Sequence, residues 1–134
     1  MKNKKRSYLT TKIGGKNRTM HFSMNFWAEF TDVMGVSLEQ IGEVFENGVS
    51  FKSLRAIIYS GLLANDMEND NAVDYNLYKV GQWMDEFTSD QINDVVNTMM
   101  QSRILGNDIN MGIERNTIAK DKDDQESGND QPAG

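Results

Sequence analysis

Ile13-Gly14-Gly15-Lys16-Asn17-Arg18-Thr19-Met20-His21-Phe22-Ser23-Met24-Asn25-Phe26 is the stretch on which the fold turns. Its first half reads as extended chain. Arg18 to Phe22 is rich in β-formers, and so is the segment upstream, Tyr8 to Ile13. Between them Gly14-Gly15-Lys16-Asn17 reads as a turn, because glycine takes positive φ without steric cost. The pattern predicts a β-hairpin. Two strands alone are marginally stable in water, so the hairpin must lay its apolar face on another element. The second half of the stretch supplies one. Ser23 stands where an N-cap belongs, Phe26, Phe30 and Val33 or Met34 recur at helical spacing, and Gly35 ends the pattern near Met34.

Downstream the period stays helical. Ser37-Leu38-Glu39-Gln40 reads as a capping box opening a short helix through about Glu46, with Leu38, Ile41 and Phe45 on one side and Asn47-Gly48 breaking it. Ser50 opens the most apolar helix, Phe51 to about Ala64, and its Leu54, Ile57, Ile58, Gly61 and Leu62 mark the centre of the core. Asn65 to Asn71 reads as an acidic loop. Asp74 is expected to cap a helix over 75–86 in which Leu77, Val80, Met84 and Phe87 align, with Trp83 beside them. Thr88-Ser89-Asp90-Gln91 is a second capping box, opening a helix that carries Ile92, Val95, Val96, Met99, Met100 and Ile104. Arg103 suits the negative end of that helix, with Gly106 at C′. The expected fold is mainly α: about five helices and an N-terminal two-stranded hairpin in one small domain over residues 7–106. A disordered basic leader, residues 1–6, precedes it, and a flexible acidic tail, residues 107–134, follows.

Composition narrows the function classes. The chain has 134 residues and no cysteine, which excludes disulfides and Cys-based metal sites. With the tail set aside, roughly a hundred residues can make one modest core but not a core plus a deep cleft. No apolar run approaches the ~18 residues of a membrane span, and no apolar segment follows the start Met1-Lys2-Asn3-Lys4-Lys5-Arg6, so neither membrane insertion nor secretion is expected. Charge is uneven: residues 1–18 hold seven bases and no acid, whereas residues 19–106 hold thirteen acids against four bases. An acidic body repels nucleic acid over most of its surface, so no nucleic-acid partner is expected.

Residues able to do chemistry are sparse. His21 is the sole histidine and stands in a strand pattern with no thiol or second histidine near it. Asp66-Met67-Glu68-Asn69-Asp70-Asn71 imitates the start of a calcium loop, but the sixth and twelfth positions hold Asn71 and Leu77 instead of Gly and Glu. Asp85 and Glu86 are neighbours that point apart on a helix, and Asp90 and Asp94 lie near a helix start, where acids favour the dipole. Gly14-Gly15-Lys16 lacks the remainder of a phosphate loop. The chain is expected to be no enzyme and to take no metal or cofactor. Its nine methionines and its large aromatics suit partner contacts instead. The residues assigned to a partner-binding surface are Trp27, Tyr75, Tyr78 and Trp83, taken as exposed aromatics near methionines.

A family likeness rests on three segments. Ile13-Gly14-Gly15-Lys16 leading into Met20 to Phe26 resembles the hairpin and helix entry of the tail assembly chaperones of long-tailed (siphovirus-type) bacteriophages. Leu54-Arg55-Ala56-Ile57-Ile58-Tyr59-Ser60-Gly61-Leu62-Leu63 resembles their central helix, and Val80 to Asp85 with the closing helix through Gln101-Ser102 is similar to their last helical pair. The likeness spans residues 13–105 and rests on order and texture. It implies a protein that coats the long, apolar tape-measure protein during tail assembly, keeps it soluble and helps bring tail-tube subunits to it, with self-association along the client. It also implies work in the bacterial host cytoplasm and absence from the mature virion. Trp27 and the heavy use of Met depart from the likeness. Another reading of the same features is a small acidic helical adaptor or regulatory protein for a different phage or host protein.

Overall fold

In the computed structural model of the chain, residues 7–104 and 107–108 are described. The hairpin is present, with β1 at Tyr8–Ile13 and β2 at Lys16–His21. Its turn is tighter than the sequence suggests. Ile13 pairs with Lys16, so only Gly14 and Gly15 turn the chain, at φ 63° and 89°. Positive φ at both central residues defines the mirror-image turn whose twist matches that of the strands. Thr10 and Thr19 face each other across the ladder with their hydroxyls 2.7 Å apart.

Five α-helices follow among the described residues: α1 at Met24–Met34, α2 at Ile41–Val44, α3 at Phe51–Glu68, α4 at Leu77–Met84 and α5 at Ser89–Met100. The mainly helical fold with an N-terminal hairpin is therefore borne out. A single 3₁₀ turn, Leu38–Gln40, leads into α2, and the Gln40 side chain accepts from the Ser37 amide at 2.8 Å, as a capping box requires. Ile41 and Phe45 are buried there, but Leu38, expected beside them, is 44 % exposed. Helix α1 ends where Gly35 was expected to end it. Val36 N–H reaches the Thr31 carbonyl and Gly35 N–H the Asp32 carbonyl, a Schellman closure around a left-handed glycine.

Helix boundaries differ from the sequence reading, three of them with a clear physical reason. Helix α3 runs four residues past Ala64, through the supposed acidic loop to Glu68. No glycine ends it. Asp70 takes the left-handed position at φ 58°, and Asn71 N–H bonds back to the Asp66 carbonyl at 2.8 Å. Helix α4 is capped by Asn76, whose side chain accepts from the Lys79 amide at 2.8 Å, and Asp74 is occupied elsewhere. Helix α5 stops at Met100, short of Arg103 and Gly106. Arg103–Ile104 forms β3 and pairs with β4, Asn107–Asp108, so the first two residues of the expected tail belong to a short ladder. The leader 1–6, Gly106 and the tail from 109 onward lie outside the described residues.

Helix α3 is central, packing on β2, α1 and α4, while α5 lies on β1. The core joins Met20 and Phe22 of the hairpin, Phe26, Trp27 and Phe30 of α1, and Ile57, Ile58 and Leu62 of α3, each 1 % exposed or less. Gly61 lets α3 approach β2. A Cβ there would stand 3.0 Å from the Met20 Cβ, tighter than nearly all real side-chain contacts, so Met20 would have to give way.

Candidate partner-binding groove

Ser50 caps α3 by accepting from the Ser53 amide at 3.0 Å. The cap fixes Phe51 at the first helical position, where no preceding turn covers its ring, and the side chain is left 85 % exposed. One turn on, Leu54 is buried, and Arg55 lays its guanidinium over the Tyr78 ring at 5.2 Å. Tyr78, on α4, is itself 77 % exposed. Gly81 lies one turn further along α4. The Arg55 stem lies against it, and a Cβ at Gly81 would meet Arg55 Cδ at 3.4 Å, an ordinary contact.

Beyond Met84 the chain turns through successive i to i+3 bonds, Glu86 N–H to Trp83 and Phe87 N–H to Met84, which carry Phe87 back toward α3. Thr88 then opens α5 through the capping box, with Gln91 N–H donating to Thr88 Oγ1 and Thr88 N–H to Gln91 Oε1, both at 3.1 Å. The other end of the same amide, Gln91 Nε2, holds α5 to the hairpin through Lys12 O at 3.0 Å and Thr11 Oγ1 at 3.2 Å. Between these elements opens a groove of about 540 Å³. Leu54, Met84, Phe87 and Ile92 give it apolar lining, Phe51 lines its mouth, and Lys52, Arg55 and Asp85 carry its charges. Its volume falls within the range of roughly 300–1,000 Å³ typical of binding clefts.

The four aromatics chosen from the sequence scatter. Tyr78 stands beside the groove through its contact with Arg55. Trp27 does not belong to any surface. It is 1 % exposed and packs edge-on against Phe26 at 4.6 Å, because the α1 face that carries it turns onto α3. Tyr75 and Trp83 come together, 6.0 Å apart, around Arg18 of β2, whose guanidinium lies 4.3 Å from the Trp83 ring centre. That guanidinium also donates to Asp74 Oδ1 at 2.8 Å, and Arg18 Nε donates to Ile13 O at 2.8 Å. The result is a clamp between hairpin and α4. The Arg18 hydrogen bond to Asp74 holds this carboxyl down at about 2. Burial, then the hydrogen bond to Asp66 Oδ2 at 2.5 Å, pushes the Tyr75 phenol well above its ordinary value. Gly14 completes the clamp, for a Cβ there would run into the Trp83 indole.

His21 lies in a second cluster, stacked on Tyr8 at 3.8 Å with Nδ1 2.6 Å from Glu68 Oε1. Ser23 and Asn25 donate to Glu68 Oε2 at 2.6 Å and 2.9 Å. Serine, histidine and glutamate meet here without the order that activates a nucleophile, in which the serine donates to the histidine. Here Ser23 donates straight to the carboxylate, so Glu68 gathers three donors and ties the end of α3 to the hairpin and α1. Burial raises its pKa, and the hydrogen bonds from Ser23, Asn25 and His21 outweigh that, leaving it below the ordinary value. Among the described residues no group of three or more His, Cys, Asp or Glu is placed to hold a metal ion, and no helix is long and apolar enough to cross a membrane.

Sequence reasoning missed Phe51, Arg55, Gly81, Phe87 and Ile92 as parts of one site. Their spacing is that of ordinary core stripes, and the sole signal was positional: an aromatic in the first turn of a capped helix has no turn above it to cover it. No protein-family model, no curated protein and no solved structure matches the chain.

Proposed function

We propose that the chain is a phage tail assembly chaperone that holds an apolar helical client, the tape-measure protein, in solution and helps recruit tail-tube subunits to it. The observation that carries this reading is the open groove beside Tyr78, with Phe51 at its mouth: two large aromatics left to water next to an apolar cleft. Large exposed aromatics at a concave apolar patch are how binding hot spots are built. The thirteen acids against four bases of residues 19–106 support the same role, since like charge keeps many bound copies dispersed. The choice of client rests on the likeness of residues 13–105 to the chaperone family. Of Trp27, Tyr75, Tyr78 and Trp83, Tyr78 alone is proposed as a contact residue, joined by Phe51.

The test is a pull-down of tagged protein from cells expressing the neighbouring genes, with Phe51→Ser as the control. Recovery of a very long, helix-rich protein with a tube-like subunit, lost in the variant, is the expected outcome. Recovery of nucleic acid, or of an unrelated host protein alone, overturns it and favours the adaptor reading.

A further inference from the structure

The groove has a charge pattern that the chaperone reading does not use. Lys52 and Arg55 line it, one from the first turn of α3 and one a turn later, and neither makes an ion pair among the described residues. Arg55 instead rests on Tyr78, which holds its guanidinium in place without neutralising it. Asp85 is the acid of the lining, so bases outnumber acids two to one there, the reverse of the thirteen acids to four bases over residues 19–106. These two are half of the four bases that this region contains. An acidic body that keeps its scarce positive charge at an apolar cleft is complementary to a ligand with a carboxylate beside an apolar face.

The walls say what shape that ligand has. Helices α3, α4 and α5 and the turn between the last two surround the groove, and they offer side chains rather than a row of free backbone donors and acceptors. An extended segment would enter with its own amides and carbonyls unpaired, which buried backbone does not tolerate. A helical segment brings its hydrogen bonds with it. We infer that the groove recognises an amphipathic helix whose apolar stripe is flanked by Asp or Glu, the stripe filling the cleft over Leu54, Met84, Phe87 and Ile92 and a carboxylate taking the Arg55 fork and Lys52. This rests on the reading of the groove as the client site and specifies the helical segment it selects.

Three designed helical peptides of about 20 residues test it by titration against the full chain. One carries a Leu stripe at i, i+3, i+4 and i+7 with flanking Glu, the second has Lys at those flanking positions, and the third keeps Glu but has Ser in the stripe. The acidic peptide binds, at least about tenfold tighter than the basic one, and its affinity falls as sodium chloride rises; the Ser peptide does not bind. In Lys52→Glu/Arg55→Glu the preference between the acidic and basic peptides inverts, and Phe51→Ser weakens both Leu peptides. Equal affinity of both Leu peptides for the unmodified chain, no binding of either, or a preference that survives the charge reversal overturns the inference. Pull-down of the tape-like client by a charge-reversed chain as well as by the parent would leave the chaperone reading standing with the carboxylate rule wrong. The expected peptide pattern with a different captured protein would do the opposite.

Discussion

The two ends of α3 are finished differently. From its middle to its C-terminal end Ile57, Ile58 and Leu62 are fully covered, Gly61 admits β2, and Glu68 is held by His21, Ser23 and Asn25. At its N-terminal end Phe51 stands in solvent, and the helix faces an open groove across from Gly81. One helix therefore serves as the pillar of the core at one end and as the wall of a binding cleft at the other. A residue type means opposite things at the two ends: phenylalanine and glycine are structural near β2 and accessory near α4.

That contrast can be broken by substitution. Phe30→Ala, in the closed region, is expected to cost about 3–5 kcal/mol, while Phe51→Ala, at the open end, stays within about 0.5 kcal/mol, both read from urea midpoints. Equal costs would abolish the distinction. The glycines give the next test. Gly61→Leu forces α3 off Met20 and Phe22 and should cost about 1–3 kcal/mol, whereas Gly81→Ala meets only an ordinary contact with Arg55 and should be neutral or stabilising by up to about 1 kcal/mol. Acid gives a third. Ionised Glu68 stabilises the fold fully above its unfolded value of 4.5, and that contribution is lost as pH falls through its lower folded value. Asp74 behaves alike between 3.8 and about 2. Stability should decline below about pH 4.5, with Glu68→Gln removing the upper part of the decline, Asp74→Asn the lower part, and Phe51→Ala neither; an acid-insensitive parent protein would refute both clasps. The smallest effect is expected at the α3 terminus. Asp70→Gly relieves a side chain held at φ 58° and should add about 0.5–1 kcal/mol.

Much of the fold was legible because it follows from local chemistry. The paired glycines at 14 and 15, the Gly35 stop and the Thr88 and Gln91 capping box each satisfy backbone geometry within a few residues. Where reading failed, the missing partner was remote. Asp74 resembles a cap but gives its carboxylate to Arg18, 56 positions away, and the end of α3 resembles a loop but is held by donors 43–47 positions upstream. Trp27, expected at a surface, lies in the core, because an aromatic on an amphipathic helix is equally consistent with core and contact until the facing element is known.

By itself, then, the sequence determined the order of hairpin and helices, the acidity of the body and its lack of thiols, since propensity, capping and charge are properties of residues and their near neighbours. Only the tertiary structure decided which aromatics are covered, that Arg18 locks the hairpin to α4 and that Phe51 and Arg55 line one groove with Tyr78 beside it. Burial and ion pairing depend on what packs opposite, and in helices whose apolar residues all repeat at the same spacing, the identity of the opposing face is not written locally.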